Sequence, residues 1–460
     1  MSDVSANRSS PQLLRVLGLV FSLAVVVGGV IGSGIMRAPG EVAKAITEPW
    51  LILAAWIIGG GSAMLAAMPL VEAGASVPLA GGTYSISARA FGPGVGFLNG
   101  WLTWLQYTAS NAFISVVFGE YVHRLGLLPQ IHAGVLGCLL VLSVTALNWS
   151  GTKVSGLSQS IGSAIKGGLF VVIVAVLFLA PHGTAPASMS VVAHLGKAAG
   201  PITSIGALAT AISVIYQTYA GWDGAIYFSE EVDNPQRNVA RATFWGIGLV
   251  TVLYVLINAA AMWVLPVSAL AGSKFAVGDA VRVVMGPFVD TFVTAMGLFS
   301  LAAIVNLQVM AASRVPFAMA RDGVAPRFLM KVARSGTPHT SLALVCLMSL
   351  AIEIAAIIIA PDTGYKWIVR IYSPWSIGAI LMVCISSIKL RVSEPDLPRP
   401  YRMPLFPWIA ILATLVQAAL IATLVLDDPV AGGWSAIIGL VAPVGIYLAF
   451  RGLWKRNAAA

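Results

Sequence analysis

The chain has 460 residues, of which 58% are hydrophobic and only 10% are charged. This composition, with a mean hydropathy of +0.88, excludes a water-soluble globular protein. The formal net charge of +9 lies mostly in loops, where it indicates membrane topology, and no nucleic-acid partner is expected.

Twelve apolar segments are long enough to form membrane-spanning helices, each of which needs about 20 residues. No loop between them is long enough for a globular domain, and the polar N-terminus is not followed by a signal-peptide cleavage site. The sequence therefore predicts an all-α integral membrane protein with 12 transmembrane helices. The predicted spans are 16–38, 49–73, 95–123, 131–150, 154–180, 201–229, 239–265, 280–317, 340–360, 366–390, 405–426 and 434–452.

The basic residues predict the orientation of these spans. If both termini are cytoplasmic, eighteen of the 27 lysines and arginines fall on the inside, eight fall outside, and Lys166 alone lies within a span. This asymmetry follows the positive-inside rule. It predicts a multi-pass protein of the cell membrane with cytoplasmic N- and C-termini.

Span 1 contains a cluster of glycines where a helix should be continuous. Gly28, Gly29, Gly32 and Gly34 occur in the stretch VVVGGVIGSGIMRAPG, and each costs a helix interior about 1 kcal/mol relative to alanine. A break here would free amide groups that suit a carboxylate and carbonyl groups that suit an ammonium group. The alternative is close helix packing, because Gly28 and Gly32 are four residues apart.

Span 6 is interrupted in a similar way by the stretch YAGWDG at 219–224. Two interrupted helices at matching places in two halves indicate an inverted repeat with a binding site between them. We therefore expect a 5+5 inverted repeat with broken helices 1 and 6. The predicted parts are an N-terminal tail at 1–15, a transport core at 16–390, with repeats at 16–180 and 201–390, two appended helices at 405–452, and a C-terminal tail at 453–460.

Five segments resemble, in the family's order, the signatures of the amino acid–polyamine–organocation (APC) superfamily. They cover about residues 15–410 and are most similar to the L-type amino acid transporters and bacterial permeases. The resemblance implies a LeuT-like fold and secondary active transport of amino acids. The segments are GGVIGSGIM in span 1, PLAGGTYSISARAFGPGVGFLNGW at 78–101, YAGWDGAIYFSEEVDNPQRNVARA after the span-6 break, SRVPFAMARDGVAPRFLMKV at 313–332 and EPDLPRPYRMPLFPW at 394–408.

The resemblance implies that the substrate binds at the two breaks. Amides at 33–35 would receive its carboxylate, and carbonyls at 30–31 and 217–219 would receive its amino group. Asn306 aligns with a position near the substrate side chain, although an interhelical hydrogen bond worth about 1 kcal/mol is an equal alternative. The full predicted substrate-binding set is Val30, Ile31, Gly32, Ser33, Gly34, Ile35, Gln217, Thr218, Tyr219, Gly221 and Asn306.

Residues around the second break are predicted to form the gate. Gln217 stands where relatives commonly carry a phenylalanine or tryptophan, which favours a more polar substrate. Tyr216, Trp222 and Asp223 complete the predicted gate. Asp223 could bind a cationic group, couple protons or make a structural bond. Four charged residues at the cytoplasmic ends, Glu230, Glu231, Arg321 and Asp322, are predicted to form gate or loop salt bridges.

Lys166 is the basic residue predicted to lie inside a span. An ionisable group there costs about 2.5–3.5 kcal/mol on insertion scales, so a functional role is the first hypothesis. Burial favours the neutral amine, which makes Lys166 a candidate proton carrier. In several relatives a lysine of helix 5 replaces a sodium ion, which argues against sodium coupling. The alternative is an amine that only caps helix-1 carbonyls.

The sequence contains no nucleotide-binding loop, no nucleophile elbow and no His/Cys metal cluster, so we expect no enzyme, cofactor or metal site. The predicted function is a permease for small neutral or polar L-amino acids that works by alternating access, as a proton symporter or an exchanger. The alternative is a polyamine or organic cation transporter with Asp223 as counter-charge. The expected partners are the amino acid, protons and the lipid bilayer, with no obligate protein partner.

Overall fold

The structure, a computed structural model, describes residues 13–32, 34–184, 201–273, 275–286, 288–359 and 364–459, and these ranges are almost entirely helical. Helices α1 to α17 are Leu19–Val30, Gly34–Ala45, Pro49–Ser76, Thr83–Phe91, Pro93–Arg124, Ala133–Trp149, Thr152–Leu179, Ile205–Thr218, Pro235–Val264, Val267–Gly272, Ala276–Met285, Phe288–Arg321, His339–Ile359, Gly364–Ser393, Trp408–Asp427, Pro429–Ala436 and Ala442–Ala459.

The chain is a multi-pass membrane protein. In the described ranges, eight helices are long and apolar enough to cross a membrane, and α1 with α2 adds a ninth candidate, bent by 43°. Helix α5 has 32 residues but carries many buried polar side chains, among them Asn99, Gln106 and Asn111. Such polar residues face other parts of the protein rather than lipid.

In two predicted spans the α-helix ends near a glycine with positive φ, once against the prediction and once at the predicted break. The single span predicted over 280–317 is wrong in its first part, because Gly286 has φ +81° and separates α11 from α12. The sixth span ends its α-helix at Thr218, and after Gly221, with φ +102°, the chain continues as a 3₁₀ helix over Trp222–Phe228. Positive φ is outside the α-helical region and is best tolerated by glycine.

The helices pack into two groups. In the first group α3 lies against α9, α1 against α9, and α2 against α8. In the second group α5 contacts α6, α12 and α13. The broken helices belong to the first group, which we call the bundle, and α5, α6, α12 and α13 form the second, which we call the scaffold.

Short backbone pairings join the two broken helices at both ends of the molecule. We call the end predicted to be cytoplasmic the inner end and the opposite end the outer end. At the inner end, the amides of Val16 and Leu17 donate to the carbonyl of Glu231 at 3.0 and 2.9 Å. At the outer end, the Thr47 amide donates to the Pro201 carbonyl at 3.2 Å. The pairings tie the broken helices into one unit.

Candidate functional site

The two helix breaks meet at a pair of glycines. A Cβ on Gly29 would lie 2.7 Å from the carbonyl oxygen of Gly221, and a Cβ on Gly221 would lie 2.7 Å from the carbonyl oxygen of Gly29. Real Cβ atoms do not approach backbone oxygens this closely, so both positions require glycine. The glycine cluster therefore allows the two broken helices to touch.

Side chains from other helices hold the carbonyl groups at the breaks. The Tyr254 hydroxyl, on α9, donates to the Val30 carbonyl at 2.8 Å and lies 3.3 Å from the Thr218 carbonyl. The Lys166 amine, fully buried on α7, donates to the Gly28 carbonyl at 2.6 Å. Tyr254 is not among the site residues predicted from the sequence. Its signal is a polar side chain in the middle of the apolar span 7.

The amide side of the break belongs to α2, which begins at Gly34. The first amides of a helix have no partner within it and carry the positive end of the helix dipole. Gly34 and Ile35, two predicted carboxylate-binding positions, lie in this first turn, and the Ile35 side chain is fully buried. The third predicted position, Ser33, lies outside the described residues.

A cavity of about 790 Å³ extends from the breaks to the outer end. Its wall includes part of the predicted site, namely Val30, Gly32, Gly34, Gln217, Thr218, Gly221 and Asp223. The remaining predicted residues are placed outside this wall, apart from Ser33, whose position is not described. They are Ile31, Ile35, Lys166, Tyr216, Tyr219, Trp222 and Asn306.

Three of these residues bond to neighbouring helices instead. The Asn306 amide donates to Gln159 at 3.1 Å, and its oxygen accepts from Asn148 at 2.9 Å, which matches the interhelical alternative. The Tyr216 hydroxyl donates to Gln417 on α15 at 2.7 Å. Tyr219 is buried, and its hydroxyl donates to the Trp56 carbonyl at 2.9 Å.

Polar side chains that the predicted substrate-binding and gate sets leave out also line the cavity. The Gln308 amide, on α12, donates to the Ser110 hydroxyl on α5 at 3.0 Å. Gln106 lies one helical turn before Ser110, and this i, i+4 spacing in an apolar span is the signal that could have found them. The other uncharged polar side chains of the wall outside those sets are Tyr107 on α5, Tyr372, Ser373 and Ser376 on α14, and Thr423 on α15.

Asp223 is the charged group nearest the breaks in the cavity wall. It is half-buried, and its Oδ2 atom accepts hydrogen bonds from two tyrosines. Tyr227, four residues further on, donates at 3.2 Å, and Tyr107 of α5 donates at 3.4 Å. In the described part of the chain, no lysine or arginine forms an ion pair with this carboxylate.

The cavity wall carries more acidic than basic side chains, although the whole chain is basic. At the outer end Arg370 pairs with Asp428 at 2.6 Å, and Glu41 pairs with Lys44 at 2.8 Å. The charged residues of the wall are Arg37, Glu41, Asp223, Arg370, Asp427 and Asp428.

The inner end is closed by ion pairs. Arg314 of α12 binds Glu231 through two bonds of 2.8 Å, and both side chains are almost completely buried. Arg321 pairs with Glu230 at 2.7 Å. The predicted salt bridges of these two glutamates are thus confirmed.

Asp322 differs from the two glutamates in its partner. Its carboxylate accepts a hydrogen bond from the Tyr84 hydroxyl at 2.8 Å, while burial raises the pKa of this carboxyl. The inner end is thus closed, and the cavity is open toward the outer end.

Broken helices around a cavity in a multi-pass helical protein are typical of membrane transporters. The sequence model of the amino acid permease family matches residues 17–449. The chain therefore belongs to the amino acid permease family of the APC superfamily, whose members are transporters rather than enzymes.

Similar proteins cover nearly the whole chain. The serine/threonine exchanger SteT of Bacillus subtilis (strain 168) is 26% identical over 97% of this chain and 98% of its own length. The b(0,+)-type amino acid transporter 1 of Mus musculus is 30% identical over 93% of this chain and 86% of its own length. A methylthioribose transporter of Bacillus subtilis (strain 168) is 26% identical over 90% of this chain and 89% of its own length. Relatives at this level of identity carry different substrates, so the family alone does not define the substrate.

Proposed function

We propose that this permease carries small neutral or polar L-amino acids across the cell membrane by alternating access. The observation that supports this most directly is the cavity at the two breaks. There the first amides of α2 and the carbonyls at 30 and 217–218 offer opposite poles to a zwitterion. The polar side chains of Gln106, Ser110 and Gln217 would favour a polar substrate side chain.

The proposed architecture has 12 helices, with a 5+5 inverted repeat over 16–390, a LeuT-like fold and cytoplasmic termini. In this scheme the bundle rocks against the scaffold around the bound amino acid. The backbone pairings that join the broken helices at both ends support movement of the bundle as a unit. The family membership supports the fold.

Lys166 would act as a strut in this scheme. Its amine already donates to the Gly28 carbonyl at 2.6 Å, which supports the capping role over the role of proton carrier. Asn306 would likewise position α12 against α6 and α7 through its hydrogen bonds to Asn148 and Gln159.

A second candidate is transport of a polyamine or another organic cation. The excess of acidic side chains in the cavity wall favours it, with Asp223 as the counter-charge. The two candidates differ in their need for a carboxylate, since only the amino acid uses the amides of α2.

The test is uptake of labelled amino acids into proteoliposomes. It is run with an inward proton gradient, and then with internal unlabelled amino acid and no gradient, for the wild type and Lys166→Ala. Esterified or decarboxylated analogues should not be carried, because the α2 amides lose their anion. Efficient uptake of a decarboxylated amine would overturn the amino acid proposal and favour the organic cation.

A further inference from the structure

We propose that Asp223 binds a proton together with a neutral amino acid, so that this carboxylate, held by Tyr107 and Tyr227, is the coupling site of the permease. The inference rests on the proposed function and adds the identity of the coupled ion and its binding group.

Asp223 lies where the bundle meets the scaffold. It belongs to the 3₁₀ segment that follows the second break, and this segment packs on α1, α3, α9 and α12. One of its two tyrosine partners, Tyr107, comes from α5 of the scaffold. The carboxylate therefore contacts both groups of helices that would move relative to each other.

The second partner is oriented by buried hydroxyl groups. The Tyr227 hydroxyl lies 3.5 Å from the Thr83 hydroxyl, which lies 2.7 Å from the Thr103 hydroxyl on α5. All three side chains are almost completely buried. Phenol groups stabilise a carboxylate by hydrogen bonds, but they bring no positive charge to balance it.

The charged and titratable side chains on the surrounding elements have other partners. Helix α1 carries none within Leu19–Val30, and those on α3, α8, α9 and α12 that lie nearest bond elsewhere. They are Glu72 with Arg391, Tyr216 with Gln417, Tyr254 with Val30, and Arg314 with Glu231. In the described residues, the hydrogen-bond partners of Asp223 are thus Tyr107 and Tyr227, and the half-buried carboxylate borders the cavity.

Binding of a neutral substrate would change the surroundings of the Asp223 carboxylate. When a zwitterion fills the cavity near the breaks, it displaces water that solvates the Asp223 carboxylate. Burying an unpaired carboxylate is costly, and uptake of a proton from the cavity water removes the charge. Substrate binding therefore favours protonation, and by linkage protonation favours substrate binding to the same extent.

The proton leaves by the reverse step. When the inner end opens and the substrate departs, water returns to the cavity and the neutral carboxyl releases its proton to that water. The carboxylate then regains the two phenol hydrogen bonds, which are stronger to a charged acceptor. One proton accompanies one amino acid, and no other reactant is required.

The sign of the pH dependence separates this role from that of a counter-charge. If one proton binds with a neutral amino acid, the apparent affinity falls by up to tenfold per pH unit as the pH rises above the proton-binding range. If Asp223 pairs with a cationic substrate, it must be ionised, and the affinity rises with pH instead.

The experiment measures substrate affinity against pH in detergent, and internal acidification in proteoliposomes that contain a pH-sensitive dye. In the wild type, addition of amino acid should acidify the lumen. Asp223→Asn should abolish acidification and give a flat affinity profile. Asp223→Glu should restore a pH-dependent affinity.

The matched control is Glu353→Gln. Glu353 is a buried carboxylate on α13 of the scaffold, outside the cavity wall. It accepts a hydrogen bond from the Ser115 hydroxyl at 3.1 Å. This variant should acidify the lumen as the wild type does. If Asp223→Asn loses all transport, the proposal is still tested by the pH dependence of substrate affinity in the wild type and in Asp223→Glu.

Three results would overturn the proposal. They are acidification by Asp223→Asn, a wild-type affinity that is flat or rises with pH, and net amino acid uptake by the wild type without proton movement. The last of these leaves the proposed amino acid transport intact. Failure of the wild type to carry any amino acid would instead contradict the proposed function.

Discussion

The inner and outer ends of the permease use ion pairs in different environments. At the inner end Arg314 and Glu231 are 2% and 0% exposed, and the pair joins the scaffold to the segment that follows the second break. At the outer end Arg370 is 58% exposed and pairs with Asp428 beside the cavity mouth. The inner pair crosses a closed interface, whereas the outer pair borders an opening.

This difference indicates which contacts must break during transport. A buried pair is held by low surrounding polarity and by two parallel hydrogen bonds. An exposed pair is screened by water and salt and contributes little to stability. In the proposed alternating-access cycle, the inner pairs would therefore hold the state whose cavity reaches the outer end, and the outer pair would not have to break.

The largest effect is expected from Arg314→Met. It leaves the Glu231 carboxylate buried without its partner, which typically costs about 3–5 kcal/mol. We expect a lower thermal midpoint and a shift toward an open inner end. The shift is measured by thiol labelling of Ser229→Cys, since Ser229 is 1% exposed in the closed state.

The control for this prediction removes both charges. Arg314→Met combined with Glu231→Leu should recover much of the lost stability, because replacing a whole buried pair by apolar residues is often close to neutral. Labelling of the three native cysteines is subtracted with the variant that lacks Ser229→Cys. Unchanged labelling and an unchanged midpoint in Arg314→Met would contradict the assignment of this pair as an inner lock.

A smaller effect on stability is expected from Gly221→Ala. The substitution introduces strain of about 1–3 kcal/mol at a positive φ, and its Cβ would meet the Gly29 carbonyl. The two breaks would separate, so we expect loss of substrate binding in protein that still inserts and folds. Binding of labelled amino acid to purified protein is the measurement.

Gly248→Ala on α9 is the matched variant, because no heavy atom lies within 4 Å of the position that its Cβ would take. Alanine favours a helix interior over glycine by about 1 kcal/mol, so binding should persist and the thermal midpoint should not fall. Equal binding by both variants would show that the close contact at Gly221 is not needed.

The sequence predicts most of the helices because apolar length is a strong signal in a membrane chain. The positions of the two breaks are also predictable, since glycines inside a span require a reason. What is less predictable is the helix break at Gly286, because one glycine in an apolar run gives no sign of its φ angle. Helix α5 is predictable despite its buried polar residues, because the span predicted over 95–123 matches the helix Pro93–Arg124.

The site is only partly predictable for a related reason. Glycine-rich stretches give the backbone positions at Gly29 and Gly221, but they do not show which side chains approach from other helices. Tyr254 bridges both breaks from α9 and is separated from them along the chain. The partners of Asn306 and Lys166 likewise depend on how the helices rotate in packing, which periodicity alone leaves open.

The smallest effect is expected at Asp428, which both pairs with Arg370 and caps α16. Its carboxylate accepts from the Ala431 amide at 3.1 Å. This amide first, and then Arg370, lower the pKa of Asp428. Because the pKa is lowered in the folded state, the contribution to stability is present at neutral pH and is lost as the pH falls through the folded value.

Asp428→Asn should keep the cap, since an amide oxygen also accepts a hydrogen bond, and should leave the thermal midpoint at neutral pH nearly unchanged. Asp428→Ala loses the cap as well and should lower the midpoint slightly. Thermal unfolding at pH 7 and pH 3 checks both, because the difference between wild type and Asp428→Asn should shrink in acid. A fall for Asp428→Asn as large as that for Arg314→Met would mean that the exposed pair holds the outer end as firmly as the buried pair holds the inner end.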